Sequence, residues 1–458
     1  MQFGTKLVIA LALARGFDVI HPSDCLGQAL RPTVFVANNG NCEGSVSSFI
    51  INEDGTAEFV QKIVTGTVPC GSGQTAPGLN AQAISISPSG KWLVTGHGTI
   101  SSILEQLTFY VVSPDSTMEI FHATTTPDSP VDVGWIDDEY LAVTATPSGN
   151  DFVIIYKFDP NVPSITQHFY QPVASIFDFV IDHEHGLLYA RDGTSGVTAF
   201  RINADRTLTR LNPNPIPTGV FFLGPGLSPD GTKLYYGGGI SSANGATSRW
   251  IGGFNINTTT GALTSMPNSP YLSPPSDGTS GPSPKQVVVS SDNQYAFVNH
   301  GGTAHIKGFR ISQATGELMP LDNSYFDVGS QGDSGNMIVM GDKLFVTRRY
   351  SGTGGNPPAG LISLTIRGDG SLTQNGSNYP TTGSLPWDIA VWPGLAAPCD
   401  SDITGDGSVN VNDLLMVINA WGPCAGTCPP ACAADISGDC TVNVNDLLAA
   451  INQWGPCQ

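Results

Sequence analysis

The central part of this 458-residue chain repeats one sequence pattern seven times between about residues 30 and 395. Each repeat contains a short apolar run followed by a polar turn. Several short strands in a repeat of roughly 50 residues are typical of a propeller blade, so the pattern predicts a mainly β chain with a seven-bladed β-propeller of four-stranded blades. An eight-stranded sandwich would not explain the sevenfold count. The first apolar runs begin near Ala83, Val131, Phe177, Gly226, Gln286, Asn336 and Trp387.

The two ends of this region carry complementary halves of one repeat. A second apolar run follows the turn in six repeats, as in Lys91–Thr95, but the run at Trp387 has no successor. The seventh run of this second kind, Thr33–Asn38, stands alone at the start. Pairing the two ends would close the ring and remove its exposed sheet edges, so we predict that they share one blade.

The last sixty residues contain a twelve-residue segment twice, 33 positions apart. In each copy, oxygen-bearing groups fall at positions 1, 3, 5, 7, 9 and 12, the spacing with which a loop wraps calcium. We therefore predict two calcium ions. The ligands would be Asp402, Thr404, Asp406, the Ser408 carbonyl, Asn410 and Asp413 in the first loop, and Asp435, Ser437, Asp439, the Thr441 carbonyl, Asn443 and Asp446 in the second.

A single helix is predicted after each loop, and none precedes it. Its apolar positions are Leu414, Leu415, Ile418 and Trp421, repeated as Leu447, Leu448, Ile451 and Trp454. This loop-helix duplicate resembles a type I dockerin, in particular the kind framed by cysteines and ending in Trp-Gly-Pro-Cys. The resemblance covers residues 399–458 and implies attachment to a cohesin-like receptor. It further implies that Val411-Asn412 and Val444-Asn445 contact that receptor, so the near-duplicate surface could bind in two orientations.

The second loop departs from the first at its pivot. Position 6 is Gly407 in the first loop and Cys440 in the second, where a side chain disfavours positive φ by roughly 1 kcal/mol or more. We expect loop two to bind calcium less tightly. Asp rather than Glu at position 12 and neutral oxygens at position 3 further predict modest affinity, which suits extracellular calcium.

The propeller region resembles the lactonase type of seven-bladed propeller, the family of 6-phosphogluconolactonase. The likeness rests on phrases such as Ser228-Pro-Asp-Gly-Thr-Lys-Leu-Tyr235. It implies the fold and raises sugar-lactone hydrolysis as an alternative function. Where such enzymes carry Pro-Arg-His before an inner strand, this chain has Pro284-Lys285-Gln286. That departure disfavours lactonase catalysis.

Composition indicates an acidic, turn-rich, extracellular protein. The formal net charge is −19, so the chain lacks the basic surface that nucleic acid or an anionic membrane attracts. No apolar run approaches the roughly 20 residues of a membrane-spanning helix. Residues 1–29 include the apolar run Leu7–Ala14 and are predicted to be a signal peptide, cleaved after Ala14 or near Ala29, unless the start is placed too early. We expect a secreted monomer.

Cysteine usage fits an oxidising compartment. Six of the nine cysteines lie in the C-terminal module, where disulfides supplement a small core, although Cys424, Cys428 and Cys432 also admit a zinc site. Their connectivity is open. Cys42 and Cys70 fall in loops of one blade, within bridging distance, which leaves Cys25 unpaired or removed with the leader.

Long loops after the second and fourth strands of the blades are predicted to meet on one face and to carry function. They bring a mixed cationic and imidazole group toward the rim, which could bind carboxylates or phosphates, or could be ordinary loop residues. The candidate ligand-binding residues are His97, Arg191, Asp192, Lys285, His300, Arg348 and Arg349.

Two other motifs are weaker. Ser334 and His305 lie in phrases similar to those of trypsin-like proteases, but only 29 residues separate them, and a triad is defined by geometry. His183-x-His185 could bind metal but is expected in a solvated turn. The sequence thus favours a secreted propeller that binds a carbohydrate, protein or small anion and is anchored by the C-terminal module. A lactonase or a purely adhesive role remains as an alternative.

Overall fold

Seven antiparallel sheets form the main body of the protein, as the sevenfold repeat predicted. The computed structural model describes residues 31–71, 76–98, 105–126, 129–146, 151–173, 178–193, 196–218, 223–238, 250–273, 283–301, 305–329, 334–350, 358–394, 401–404, 408–424, 432–437, 440–452 and 455–456. The predicted signal peptide lies outside them.

Each blade is a sheet whose strands lie side by side from a central channel outward, and in blades 2 to 7 they follow the order of the chain. Blade 1 contains β1 (Thr33–Asn39), β2 (Glu43–Ile51) and β3 (Ala57–Thr67). Blade 2 contains β4 (Ala81–Ile86), β5 (Trp92–His97), β6 (Gln106–Val112) and β7 (Met118–Thr125). Blade 3 contains β8 (Ser129–Trp135), β9 (Tyr140–Thr146), β10 (Asp151–Asp159) and β11 (Ser164–Val173).

Blades 4 and 5 follow the same plan, except that two short strands replace the fourth strand and both pair with the third. Blade 4 contains β12 (Phe179–Asp182), β13 (Leu187–Arg191), β14 (Gly196–Ile202), β15 (Leu208–Arg210) and β16 (Ile216–Pro217). Blade 5 contains β17 (Leu223–Leu227), β18 (Lys233–Gly237), β19 (Trp250–Asn257), β20 (Ala262–Ser265) and β21 (Tyr271–Leu272).

The last two blades complete the ring. Blade 6 contains β22 (Ser283–Val289), β23 (Tyr295–Gly301), β24 (His305–Ile311) and β25 (Leu318–Asp327). Blade 7 contains β26 (Ser334–Met340), β27 (Lys343–Arg348), β28 (Gly360–Ile366), β29 (Leu372–Gln374) and β30 (Tyr379–Pro380).

The ring closes through the two ends of the repeat region. Strand β31 (Pro386–Trp392) is the innermost strand of blade 1 and pairs antiparallel with β1, from Thr33 opposite Trp392 to Asn38 opposite Pro386. The opposite edge of β1 pairs with β2. The predicted complementarity of the two orphan strands is therefore confirmed. Cys42 and Cys70 form a disulfide in the same blade.

The hydrophobic core is divided into seven apolar layers, one between each pair of neighbouring blades. Between blades 1 and 2, for example, Phe35 packs with Leu93, Tyr110 and Trp392. Because the second strand of a blade lies within the sheet and is covered on both faces, all five residues of β13 are buried. This explains why the second strands are continuous apolar runs rather than alternating ones.

The C-terminal module contains the two predicted helices, α1 (Val411–Asn419) and α2 (Val444–Asn452). Its short strands are β32 (Ser408–Val409), β33 (Gly422–Pro423), β34 (Thr441–Val442) and β35 (Gly455–Pro456). The core of the module includes Val409, Val417, Val442 and Ala450, none of which is exposed to solvent. Only two helices occur in the described part of the chain, and neither is long enough to cross a membrane.

The helix faces differ from the expectation. Leu414 and Leu447 pack against the module core, but Leu415 and Ile418 are exposed by 49% and 47%. The sequence pattern had grouped all of them as one apolar set. Part of that set therefore faces solvent.

Candidate functional site

The upper face of the propeller, defined as the face where the innermost strands begin, surrounds the mouth of the central channel. A cavity of about 390 Å³ opens there. Most of the innermost strands carry a β-bulge at this end, as at Lys285 in blade 6 and Trp387 in blade 1. A bulge re-aims the side chain at the rim of a barrel-like structure. Both of these bulge residues line the cavity.

Four acceptor side chains form a recurring contact between blades at this mouth. Each accepts a hydrogen bond from a backbone N–H of the next innermost strand, and each precedes or begins an apolar run. The bonds run from Ile84 to Asp388 (2.9 Å), Phe179 to Asp132 (3.2 Å), Gly224 to Asp178 (3.2 Å) and Met337 to Gln286 (2.6 Å). Sequence reasoning did not assign this role to any of the four residues, although a polar residue just before or at the start of the inner apolar run was the available signal.

The three carboxyl groups of the channel mouth are electrostatically perturbed. Burial, followed by the charges of Asp178 and Asp388, raises the pKa of Asp132 well above its ordinary value. Burial raises the pKa of Asp388 to about 6, opposed by a hydrogen bond from the Asn336 amide at 2.7 Å. Burial also raises the pKa of Asp178, opposed by the Gly224 N–H and the charges of Arg191 and Lys285. All three carboxyls therefore hold a proton more tightly than an exposed aspartate does.

Lys285 and Arg349 place the positive charge of this region beside an aromatic ring. The Lys285 Nζ lies 4.3 Å from the centroid of the Trp387 ring, and the Arg349 guanidinium carbon lies 4.4 Å from it. Lys285 also donates to the carbonyl of Ser334 at 3.1 Å. Cation–π contacts at these distances favour a fixed position for both cations. Of the seven rim residues predicted from sequence, only Lys285 lines the cavity.

The predicted imidazoles lie inside the blades rather than on the rim. His97 and His300 are each 2% exposed. The His97 ring bonds Thr95 and the carbonyl of Leu79, and the His300 ring bonds Ser273 at 2.8 Å and the carbonyl of His305. Burial lowers the pKa of each to about 4. Both rings are therefore neutral at pH 7, and they form hydrogen bonds inside their own blades.

The remaining predicted rim residues are also held by protein partners. Arg191 donates to the carbonyl of Gly193 at 2.9 Å, and Arg348 donates to the carbonyls of Tyr350 and Gly329. Asp192 accepts from Thr198 and pairs with Arg210. These three residues are at most 5% exposed. The candidate ligand-binding site therefore lies at the mouth of the channel rather than among the predicted rim residues.

The weaker motifs do not form reactive groups. Ser334 is fully buried at the start of β26, while His305 begins β24 and contacts the Tyr325 ring. His185 pairs with Asp182 at 2.9 Å rather than with His183. Within the described residues, no group of three or more His, Cys, Asp or Glu side chains is arranged to hold a metal.

The two C-terminal loops converge on their last aspartate. In the first, Asp413 accepts from the N–H of Thr404 (2.9 Å) and from the N–H of Asn410 (2.8 Å). The Thr404 hydroxyl also reaches Asp413 and Asp402. Burial raises the pKa of Asp413, but these hydrogen bonds outweigh it and leave the pKa below its ordinary value. Positions 1, 3, 9 and 12 therefore meet around one ionised carboxylate.

The second loop repeats this geometry. Asp446 accepts from the N–H of Ser437 (2.8 Å) and from the N–H of Asn443 (2.7 Å), and it is fully buried. Position 6 adopts positive φ, as the comparison with Gly407 suggested: Cys440 has φ of 69°. Its N–H donates to Asp435 at 2.7 Å. The fifth-position ligands Asp406 and Asp439 lie outside the described residues.

Disulfides frame the second loop. Cys424 bonds Cys432, and Cys440 is also disulfide-bonded. This pairing excludes the alternative of a zinc site built from Cys424, Cys428 and Cys432, because two of the three thiolates are consumed. The oxygen donors of the loops suit calcium, a hard cation that prefers carboxylate, hydroxyl and carbonyl ligands.

Comparison with known proteins identifies the C-terminal module. Residues 400–454 match the family model of the dockerin type I domain. Dockerin domains bind calcium and attach to cohesins. The predicted resemblance is therefore confirmed for this module. No curated protein sequence matches the chain significantly.

Solved structures show the propeller fold over about four fifths of the chain. A protein from Lactobacillus plantarum superposes with a TM-score of 0.61 at 13% identity, covering 79% of this chain and 99% of its own. The periplasmic gluconolactonase of Pseudomonas aeruginosa gives 0.59 at 16% identity, covering 79% and 98%. A Bacteroides uniformis protein provisionally assigned as a 6-phosphogluconolactonase gives 0.59 at 14%, covering 79% and 99%. At such identities the likeness concerns the fold alone, which is the seven-bladed propeller that precedes the dockerin module.

Proposed function

We propose that this protein is an extracellular, dockerin-anchored binding protein. Its C-terminal module attaches to a cohesin-like receptor when calcium is bound, and its propeller binds a ligand at the channel mouth. The observation that carries the proposal is the near-identical geometry of the two loop-helix units. Because the two units are so similar, the spacing of the calcium ligands and the exposed apolar surface of the helix both occur twice.

Calcium is the counter-ion that this module needs. From Cys399 to the end the chain has seven aspartates and no lysine, arginine or histidine. Without a cation, the clustered carboxylates in each loop repel one another. Each loop would hold one ion through its position 1, 3, 5, 9 and 12 side chains and its position 7 carbonyl. The bound ion supplies positive charge that fixes the loop against its helix.

The receptor surface is present twice. Val411, Leu415 and Ile418 on α1 are exposed by 55%, 49% and 47%, while Val444, Leu448 and Ile451 on α2 are exposed by 53%, 50% and 48%. Such apolar exposure on a small soluble module marks a docking surface. Asn412 and Asn445 are exposed beside these two stripes. If the module is rotated by a half turn, α2 therefore presents to the receptor the same kinds of side chain that α1 presented before.

Substitution of the paired asparagines tests the two orientations. Asn412→Asp or Asn445→Asp alone is expected to change affinity by only about twofold, because the other half still docks. The double variant should lose binding. The measurement is calcium-dependent capture of a partner from the secreted and envelope fractions of the source organism on immobilised protein, with a chelated control. Loss of capture by one single variant would refute the two-orientation mode, and no calcium-dependent partner would refute attachment itself.

The channel mouth favours a neutral or cationic hydroxylated ligand. Asp132, Asp178 and Asp388 line the cavity together with one amine, that of Lys285. The carboxyls accept hydrogen bonds from hydroxyl groups, while Lys285 and the amide of Asn336 provide donors. Among the side chains that line the cavity, a phosphorylated sugar acid would meet three carboxyls and one cation, so we expect it to bind less well. A carbohydrate fits the mixed donor and acceptor set.

Ligand screening tests this part of the proposal. We expect a neutral or amino sugar to raise the melting temperature of the propeller by mass action, and Asp178→Asn to reduce the shift. Asp369→Asn, which alters a carboxylate in an outer hairpin turn, is the matched control. If sugar acids or phosphates stabilise the propeller most, the assignment of ligand class is wrong.

Lactone hydrolysis is the competing function. The raised pKa of Asp132 would suit a general acid, whereas Lys285-Gln286 replaces the family's Arg-His pair and the buried imidazoles of His97 and His300 do not reach the cavity. Release of acid from gluconolactone in a pH-stat measures the activity directly. Turnover that Asp132→Asn abolishes would establish the enzyme, and its absence supports a binding propeller.

A further inference from the structure

The two halves of the C-terminal module are joined by reciprocal strand pairs. After α1, Gly422 pairs with Val442 and Pro423 with Thr441, which lie at positions 8 and 7 of the second loop. After α2, Gly455 pairs with Val409 and Pro456 with Ser408, the same positions of the first loop. Each calcium loop is thus bordered by the chain that follows the other helix.

Position 7 is where the backbone carbonyl of such a loop points at calcium. The pairing therefore holds the backbone at a ligand position. In the second loop the contact continues beyond the two paired residues, because the N–H of Cys424 donates to the carbonyl of Cys440 at position 6 (3.1 Å). The same Cys440 donates its own N–H to Asp435, the first ligand. Two successive backbone N–H hydrogen bonds, through Cys440, therefore connect the segment after α1 to the first ligand of loop two.

The position 8 side chains reinforce this connection. Val409 and Val442 are both fully buried in the single core that the two halves share. A shift of either loop would disturb that core. The shared core therefore holds both loops in place, while each strand pair borders only one of them.

We propose that each calcium loop is held in its binding conformation by the Gly-Pro strand that follows the helix of the other half. Strand β33 therefore positions loop two, and β35 positions loop one. The inference rests on the proposed calcium sites. It assigns Gly422, Pro423, Gly455 and Pro456 as positioning residues that support calcium binding without contacting the ion.

Calcium titration of the full chain by calorimetry tests the crossed assignment. Asp402→Ala leaves only loop two to bind, Asp435→Ala leaves only loop one, and the double variant is the blank. Gly422 has φ of 122°, which proline cannot adopt because its φ is fixed near −65°. Gly422→Pro should therefore break β33 and weaken loop two roughly tenfold, the loss expected from one or two backbone hydrogen bonds. Loop one should change less than about twofold.

The reciprocal variant gives the opposite pattern. Gly455→Pro should weaken loop one and spare loop two, although it follows the second helix in sequence. A milder change, Gly422→Ala, introduces a Cβ where no atom lies within 4 Å but strains the positive φ. It should weaken loop two by a few-fold without unfolding the module.

A purely local role predicts that each variant weakens the loop of its own half, and that result would overturn the crossed pairing. Equal weakening of both loops would also overturn it. If the parent chain takes up no more calcium than the double-alanine blank, the proposed calcium sites fail, and this inference fails with them.

Discussion

Phe35 provides the sharpest test of ring closure. It lies in β1 between Ser48 of β2 and Ala390 of β31, and its side chain is fully buried in the layer between blades 1 and 2. Truncating a buried phenylalanine typically costs 3 to 5 kcal/mol, and the cost rises when the site cannot collapse. Because sheet partners flank β1 on both sides, we expect Phe35→Ala to destabilise the propeller by about 4 kcal/mol.

Phe59 in β3 of the same blade is the matched control. It is 42% exposed and makes an edge contact with Phe49 at 5.6 Å between ring centroids. Phe59→Ala should therefore cost about 1 kcal/mol or less. The comparison holds the blade and the chemical change constant while burial differs.

The assay is urea unfolding followed by tryptophan fluorescence, in excess chelator so that calcium does not contribute. A closed ring predicts one transition that moves as a whole to lower urea in Phe35→Ala. Equal midpoints for the two variants would refute the magnitude worked from burial. A separate early transition, with the other blades still folded, would refute the idea that β1 couples the whole ring.

The other predictions concern pH, the propeller disulfide and calcium. Burial raises the folded pKa of Asp388 to about 6, so the stability that its protonated form contributes is present below the unfolded pKa and is lost as pH rises through 6. Between pH 4 and 7.5 the free energy of unfolding of Asp388→Asn should therefore rise relative to that of the parent by on the order of 2 kcal/mol. A difference in melting temperature that does not change with pH would contradict this. Replacing Cys42 and Cys70 by serine should lower the free energy of unfolding by about 3.5 kcal/mol, given the 28-residue separation and the loop-entropy relation; an unchanged urea midpoint would show that the disulfide does not stabilise the propeller. Chelation should lower the melting temperature of the module but not of the propeller, and Asp402→Ala should reduce calcium binding in calorimetry more than Asp435→Ala, because loop two carries the strained residue at position 6; equal losses would count against that strain.

Much of the propeller followed from periodicity. The count of inner strands, their approximate positions and the pairing of Thr33–Asn38 with the strand at Trp387 were all predictable, because an unpaired edge must be covered and each repeat supplies the same parts. The calcium loops were predictable for a related reason. Local spacing in a twelve-residue loop fixes which side chains can converge, and Asp413 and Asp446 do converge with their partners.

The propeller site was less accessible to sequence reasoning. His97 and His300 were predicted at the rim because the long loops after the second strands were expected to carry them there, but they lie within β5 and β23, opposite bulges of the innermost strands, and their rings are buried. Asp132, Asp178 and Asp388 were present in the repeat phrases as ordinary polar residues. Only the ring geometry, which brings blades 3, 4 and 1 to one cavity, gives them a shared role.

The sequence by itself determined the number of blades, the seam that closes the ring, and the ligand spacing of the two terminal loops, since each depends on contacts that are local or repeated at a fixed period. The tertiary structure decided which polar groups face the channel, which helix residues stay exposed, and which tail borders which calcium loop. These features depend on contacts between residues far apart in the chain, such as Ile84 with Asp388 and Val409 with Gly455. No local pattern encodes them, because burial and electrostatic coupling arise only when separate strands are brought together.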